Sequence, residues 1–219
     1  MTMKKLLALG DSFTYGEELE DRNKCWANLI GQQLGYQVDN FGIPGGSNPR
    51  AVRMLFEQDV RDYDLVLIGW SHYDRMELAD DMGVYDSWPG GQRTIYRQQA
   101  PWRSQIIDYI TVHHNDDYIY RQYLMMIIQV QSYLKVNQID YIMMDAFGNH
   151  KDSRRHAPEN VKLVAQVDSN HFIGWPNETM AEWTAGLAQG PGGHFLEQGH
   201  AVVAEKIYQR LSELGHNGV

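Results

Sequence analysis

The sequence predicts an α/β fold, an open and mainly parallel sheet with helices on both faces. Three observations carry that reading. Short, nearly continuous apolar runs each end at Gly, Asp or Ser; segments of helical period separate them; and the chain closes on an amphipathic stretch over 199–214. Unbroken apolar runs, in place of strict alternation, belong to strands buried on both faces, as parallel strands are.

Residues 5–9, Lys-Leu-Leu-Ala-Leu, form the first such run, and Gly10, Asp11 and Ser12 end it. Trp26, Leu29, Ile30 and Leu34 then recur at helical spacing, with Gly35 where a helix C-terminal glycine belongs. A second strand is expected over 36–41, ended by the turn-rich loop 42–49, with a helix over about 50–59 to follow. Residues 65–68 give a third strand running into Gly69, Trp70 and Ser71, and 139–144 a fourth running into Asp145. Between them, Tyr120, Tyr123, Leu124, Ile127, Ile128, Val130 and Leu134 place a largely buried helix over 118–136. The stretch 74–117 is rich in Trp, Tyr, Gly and Asp and has no clean period. It reads as an insertion or lid over the site, since long irregular segments in compact domains are often functional, or as a structural cap without substrate contact. Val202, Val203, Ile207 and Leu211 line one face of the last helix. With no repeat or linker, 1–219 reads as one domain, and ligands of such sheets bind beyond the carboxyl ends of the strands.

Apolar residues at 43% and charged residues at 21% suit a folded core. A net charge of -9 argues against nucleic acid as a partner, because phosphate binding needs clustered Lys and Arg. The one cysteine, Cys25, fits a reducing compartment. No run approaches the ~18 apolar residues of a membrane span, and the first apolar run is too short for an export signal. The expectation is a cytoplasmic protein with no membrane partner, acting on a neutral or polar molecule.

Two constellations carry chemistry. Gly10-Asp-Ser-Phe-Thr-Tyr-Gly16 follows the first strand, so Ser12 lies at a strand's carboxyl end, where following N–H groups can face an oxyanion. The competing role is a helix cap. Near the other end, Gly192-Gly-His194 and Gly199-His200 precede the last helix. A histidine in a glycine-rich loop can be placed as a general base, whereas His200, at the helix start, packs or caps.

These blocks resemble the SGNH (GDSL-like) hydrolase family, which has Gly-Asp-Ser-x-x-x-Gly after its first strand and His-x-x-x-x-Gly-His before its last helix. The resemblance implies a three-layer α/β/α sandwich with a mainly parallel, flavodoxin-like sheet of about five strands. It implies a serine esterase without metal or cofactor, with Ser12 as nucleophile and His194 as base. The oxyanion hole would comprise the Ser12 N–H, a glycine of the 40–48 loop and Ser71. Gly42, Gly45 and Gly46 are candidates there, and the family's Asn-x-Gly-x-x-Gly form favours Gly45.

Two departures stand out. Ser71 replaces the family's oxyanion-hole Asn with a shorter donor, and losing such a donor altogether costs ~2.7–4 kcal/mol. Pro191 stands three residues before His194, where the family has Asp. The imidazole would then rely on a backbone carbonyl, or on a carboxylate from elsewhere such as Asp168 or Asp145. The substrate class is a small-molecule or carbohydrate ester, with Trp70, Tyr73, Trp88 and Trp102 as candidates to stack on a sugar ring.

Other readings compete. Both departures suit a binding or structural protein that has kept the fold without turnover, and an acyltransferase would use the same acyl-enzyme. His113-His114-Asn115-Asp116-Asp117 offers metal-binding residue types, although adjacent side chains point apart and capping the next helix is the simpler role. Nucleotide binding lacks both Gly-x-Gly-x-x-Gly and the phosphate-loop Lys.

Overall fold

The computed structural model describes residues 3–80, 83–87, 112, 115–149 and 152–216. Its strands are β1 (Lys5–Gly10), β2 (Gln37–Asn40), β3 (Leu65–Trp70), β4 (Met76–Asp80), β5 (Gly83–Ser87), β6 (Asp140–Asp145) and β7 (Phe172–Ile173). Five of them form a parallel sheet in the order β2-β1-β3-β6-β7. The helices are α1 (Ser12–Tyr15), α2 (Trp26–Leu34), α3 (Asn48–Glu57), α4 (Asp116–Val136), α5 (Pro158–Val164), α6 (Met180–Trp183) and α7 (Glu197–Glu213). This is the expected mainly parallel, five-stranded sheet flanked by helices.

Alternation along the strands builds two cores. Leu6, Ala8, Leu67, Ile142 and Met144 face Trp26 and Ile30 of α2 and Val203, Ile207 and Leu211 of α7. Leu7, Leu9, Val66, Ile68 and Met143 face Leu55 of α3 and Tyr123, Leu124 and Ile127 of α4. Each leucine, isoleucine, valine or methionine among them contributes roughly 1.5–3 kcal/mol by leaving water. Burial on both faces is why the runs read as continuous in the sequence.

The differences from expectation have local causes. Helix α3 starts at Asn48, ahead of the expected residue 50, because Ser47 Oγ accepts from Arg50 N at 3.3 Å and Pro49 fits the first turn. Strand β7 has two residues, too few for a pattern. Part of the 74–117 segment is an antiparallel hairpin, β4–β5. It docks on α3 through charge: Arg53 Nε and Nη2 donate to Glu77 at 2.7–3.0 Å, and Ser47 N donates to Asp86 at 2.9 Å. Polar docking leaves no apolar period to read. The rest of that segment, with Trp88, Trp102, His113 and His114, lies outside the described residues apart from 112 and 115–117. Asn115 caps α4 by accepting from Tyr118 N at 2.9 Å, and Asp116 and Asp117 in its first turn both pair with Arg154. Among the described residues, no helix is long and apolar enough to cross a membrane.

Candidate active site

The turn after β1 is built by close approach. A Cβ on Gly10, whose φ is 152°, would lie 2.2 Å from Thr14 Oγ1 and 2.6 Å from the Gly69 carbonyl, so only glycine lets α1 fold back over the sheet. Asp11 caps α1, its Oδ1 accepting from Phe13 N at 3.0 Å. Ser12 is therefore the first helical residue and not the cap. Only 3% exposed, it has no hydrogen-bond partner for its N–H or Oγ among the described residues.

Asp11 is fully buried. Its Oδ2 accepts from Ser71 Oγ at 2.9 Å and from Arg75 Nη1 at 3.2 Å, and Arg75 also donates to the Gly46 carbonyl at 3.3 Å. Burial raises the Asp11 pKa, against the opposing pull of Arg75, the Phe13 N–H and Ser71. The Ser71 hydroxyl thus donates to Asp11, and its expected role as an oxyanion donor would require exchanging that bond. The Ser71 backbone is clasped by two buried amides: its N–H donates to Asn48 Oδ1 at 2.7 Å, and its carbonyl accepts from Asn48 Nδ2 at 3.0 Å and Asn149 Nδ2 at 2.8 Å.

The glycine candidates separate by their N–H partners. Gly42 N donates to Asn40 Oδ1 at 2.9 Å and Gly46 N to the Ile43 carbonyl at 3.0 Å. The Gly45 N–H has no partner among the described residues, and its φ is 73°. It and the Ser12 N–H are the two unspent backbone donors of the set.

His194 comes from the far end of the chain and packs edge-on against the Phe13 ring, with centroids 5.7 Å apart. Its Nδ1 lies 2.8 Å from Glu18 Oε2, which also accepts from His194 N at 3.1 Å, while Gly192 N donates to Glu18 Oε1 at 2.6 Å. Its Nε2 lies 3.3 Å from Glu17 Oε2. The Gly192 N–H above all, with His194, holds the Glu18 carboxyl below the usual range against the opposing effect of desolvation. Glu18 has a φ of 68°, a left-handed conformation that costs a non-glycine residue roughly 1–2 kcal/mol. No hydrogen bond joins His194 to Ser12 in this arrangement.

Asp168 and Asp145, the carboxylates expected near the base, are bonded elsewhere. Asp168 accepts from Tyr141 at 3.2 Å and pairs with His171 at 2.9 Å and with Lys135. Burial pulls its pKa up, but the Lys135 and His171 contacts outweigh that and hold it at about 2. Asp145 accepts from Tyr123 at 2.5 Å and Asn149 at 3.1 Å. The carboxylate on Nδ1 of the imidazole is Glu18. Its only signal in the sequence is its place two residues beyond Gly16, which no spacing rule singles out.

His200 is a core residue, as its place at the helix start suggests. It is 1% exposed, its Nδ1 accepts from Trp26 N at 3.1 Å, and burial pushes its pKa down to about 3. A neutral imidazole of one helix thereby satisfies the first N–H of another. Trp70 and Tyr73 are also buried, and Tyr73 donates to Asp152 at 3.0 Å, so neither ring is free to stack on a sugar.

A family model matches residues 12–216. The chain belongs to the family of unknown function DUF6071. No protein of curated function matches this DUF6071 member in sequence. Its fold is similar to that of a carbohydrate esterase family 2 enzyme from Corynascus thermopiles, with a TM-score of 0.56 and 16% identity over 98% of this chain and 67% of that one. The psychrotrophic esterase EstA from Pseudoalteromonas sp. is similar at a TM-score of 0.54 and 13% identity, over 98% and 100% of the two chains. The lipase/acylhydrolase from Enterococcus faecalis is similar at 0.52 and 17%, over 97% of each. The DUF6071 chain therefore has the α/β/α architecture found among lipolytic and carbohydrate esterases.

Proposed function

We propose that the protein is a serine hydrolase that cleaves carboxylic esters through an acyl-enzyme on Ser12. The observation that carries this reading is the meeting of the two ends of the chain: His194, with a carboxylate on Nδ1, packs against the residue next to Ser12. Two further features support it: the N–H groups of Ser12 and Gly45, and the hydroxyl of the buried Ser12, have no hydrogen-bond partner among the described residues. In the reaction His194 Nε2 takes the Ser12 proton and Oγ attacks the ester carbonyl. The oxyanion is met by the two N–H groups, the alcohol leaves with the proton from His194, and water releases the acid. Likeness to the carbohydrate esterase family 2 enzyme makes an O-acetylated carbohydrate the substrate class to try first.

The test is hydrolysis of p-nitrophenyl acetate and of acetylated oligosaccharides by the protein and by folded Ser12→Ala and His194→Ala variants. Activity is expected to fall by ~10⁴-fold or more in each, to a shared background, because the two residues act as a unit. Equal rates in all three would sink the assignment. One contact favours a second reading, a binding protein on the same fold: Nε2 faces Glu17 and not Ser12. Failure of a fluorophosphonate to label Ser12 would establish that alternative.

A further inference from the structure

The loop that carries His194 is shaped around a side chain from the opposite end of the chain. Glu18 and His194 are 176 positions apart, yet the Glu18 carboxylate accepts from Gly192 N and His194 N and lies 2.8 Å from His194 Nδ1. A Cβ on Gly190 would lie 2.6 Å from the Glu18 carboxyl carbon, and one on Gly192 3.1 Å from Oε2. Gly190 and Gly192 thus leave the room that this carboxylate occupies. With Glu18 itself in a left-handed conformation, the contact is maintained at a local cost in backbone energy.

We propose that Glu18 is the positioning residue of His194: its carboxylate holds the Nδ1 proton, so that Nε2 is the nitrogen left to take the proton of Ser12. This rests on the Ser12–His194 reading and supplies the acid missing at Pro191. Glu18, not its neighbour Glu17, has this role, because Glu17 meets Nε2, the nitrogen that must face the nucleophile, at the longer 3.3 Å. Glu17 competes with Ser12 for Nε2. The ionisable groups facing the imidazole are Glu17 and Glu18 from the turn after α1, Asp11, itself paired with Arg75, from the end of β1, and His200 from α7.

The experiment measures the rate of Ser12 labelling by a fluorophosphonate as a function of pH, which needs no natural substrate. The Ser12 Oγ–P bond forms, the P–F bond breaks, fluoride leaves and the serine proton passes to His194. Glu18→Gln keeps the side-chain length and an acceptor oxygen but loses the charge. It is expected to fold as judged by circular dichroism, to label ~10²–10⁴-fold more slowly, and to shift the acidic limb of the profile to lower pH, since a cationic imidazole loses its counter-charge. Glu18→Asp should keep the limb near its wild-type position. Gly190→Ala, which displaces the carboxylate without altering its charge, should also slow labelling.

A folded Glu18→Gln protein with wild-type rate and an unmoved limb, beside dead Ser12→Ala and His194→Ala controls, would overturn the role of Glu18 and leave the Ser-His pair standing. No labelling of the wild type at any pH would overturn both. Independently of any variant, ¹⁵N NMR of the wild-type imidazole should find the neutral form protonated at Nδ1; the opposite tautomer would refute the proposal.

Discussion

The nucleophile turn and the histidine loop are secured in different ways. Gly10–Gly16 is continuous with the central strand β1, is capped by its own Asp11, and is tied underneath by a buried carboxylate shared with Ser71 and Arg75. Among the described residues, positions 190–194 belong to no strand and are flanked by the isolated bridge between Gln189 and Phe195. One partly exposed side chain, Glu18, accepts two of their N–H groups and lies against the His194 ring at Nδ1. Disturbing the first region should cost stability as well as chemistry, whereas disturbing the second should cost mainly chemistry.

The largest stability effect is expected from Arg75→Met, which leaves Asp11 buried without its counter-charge. A loss of ~3–5 kcal/mol in urea unfolding near neutral pH is predicted, the range for breaking a buried pair. The deficit should narrow as the pH falls and Asp11 takes up a proton. An unchanged midpoint would show that the turn does not depend on the buried charge. Gly10→Ala should cost about 2–3 kcal/mol through overpacking against Thr14 and Gly69, and should slow Ser12 labelling in the same protein. If stability fell while labelling held, turn geometry and nucleophile placement would be separable.

The smallest effect concerns His200, at the start of the helix after the histidine loop. Its folded pKa of about 3 lies below the ordinary value of 6.5, so between those limits the unfolded chain binds the extra proton and stability declines as the pH falls. His200→Asn retains an acceptor for Trp26 N without titrating. Its melting temperature should therefore change less than that of the wild type between pH 6.5 and 4, after allowance for the shared titration of the carboxylates. Parallel slopes would show that His200 is not a source of the acid sensitivity.

Much of the architecture was legible because its signals are local. Leu6–Leu9, Leu65–Ile68 and Ile142–Met144 are buried on both faces, and double burial leaves an unbroken apolar run that needs no partner to be recognised. The period of α4 and α7 was legible for the same reason. Strand β7 and the hairpin were not, one being two residues long and the other docked by Arg53–Glu77 and Ser47–Asp86. Ser71 was given an oxyanion role from its alignment. What the sequence did not reveal is that its hydroxyl donates to Asp11, a neighbour only once β1 and β3 are paired.

The sequence by itself determined the layered fold and brought Ser12, Gly45 and His194 forward as the residues to watch, because strand burial, turn chemistry and the two motif blocks reside in contiguous residues. Only the tertiary structure decided which carboxylate meets the imidazole. Asp168 and Asp145 were equally good by composition, but a hydrogen bond is set by distances of about 3 Å. That distance for Glu18 exists only after the glycine loop from the far end of the chain has closed over it.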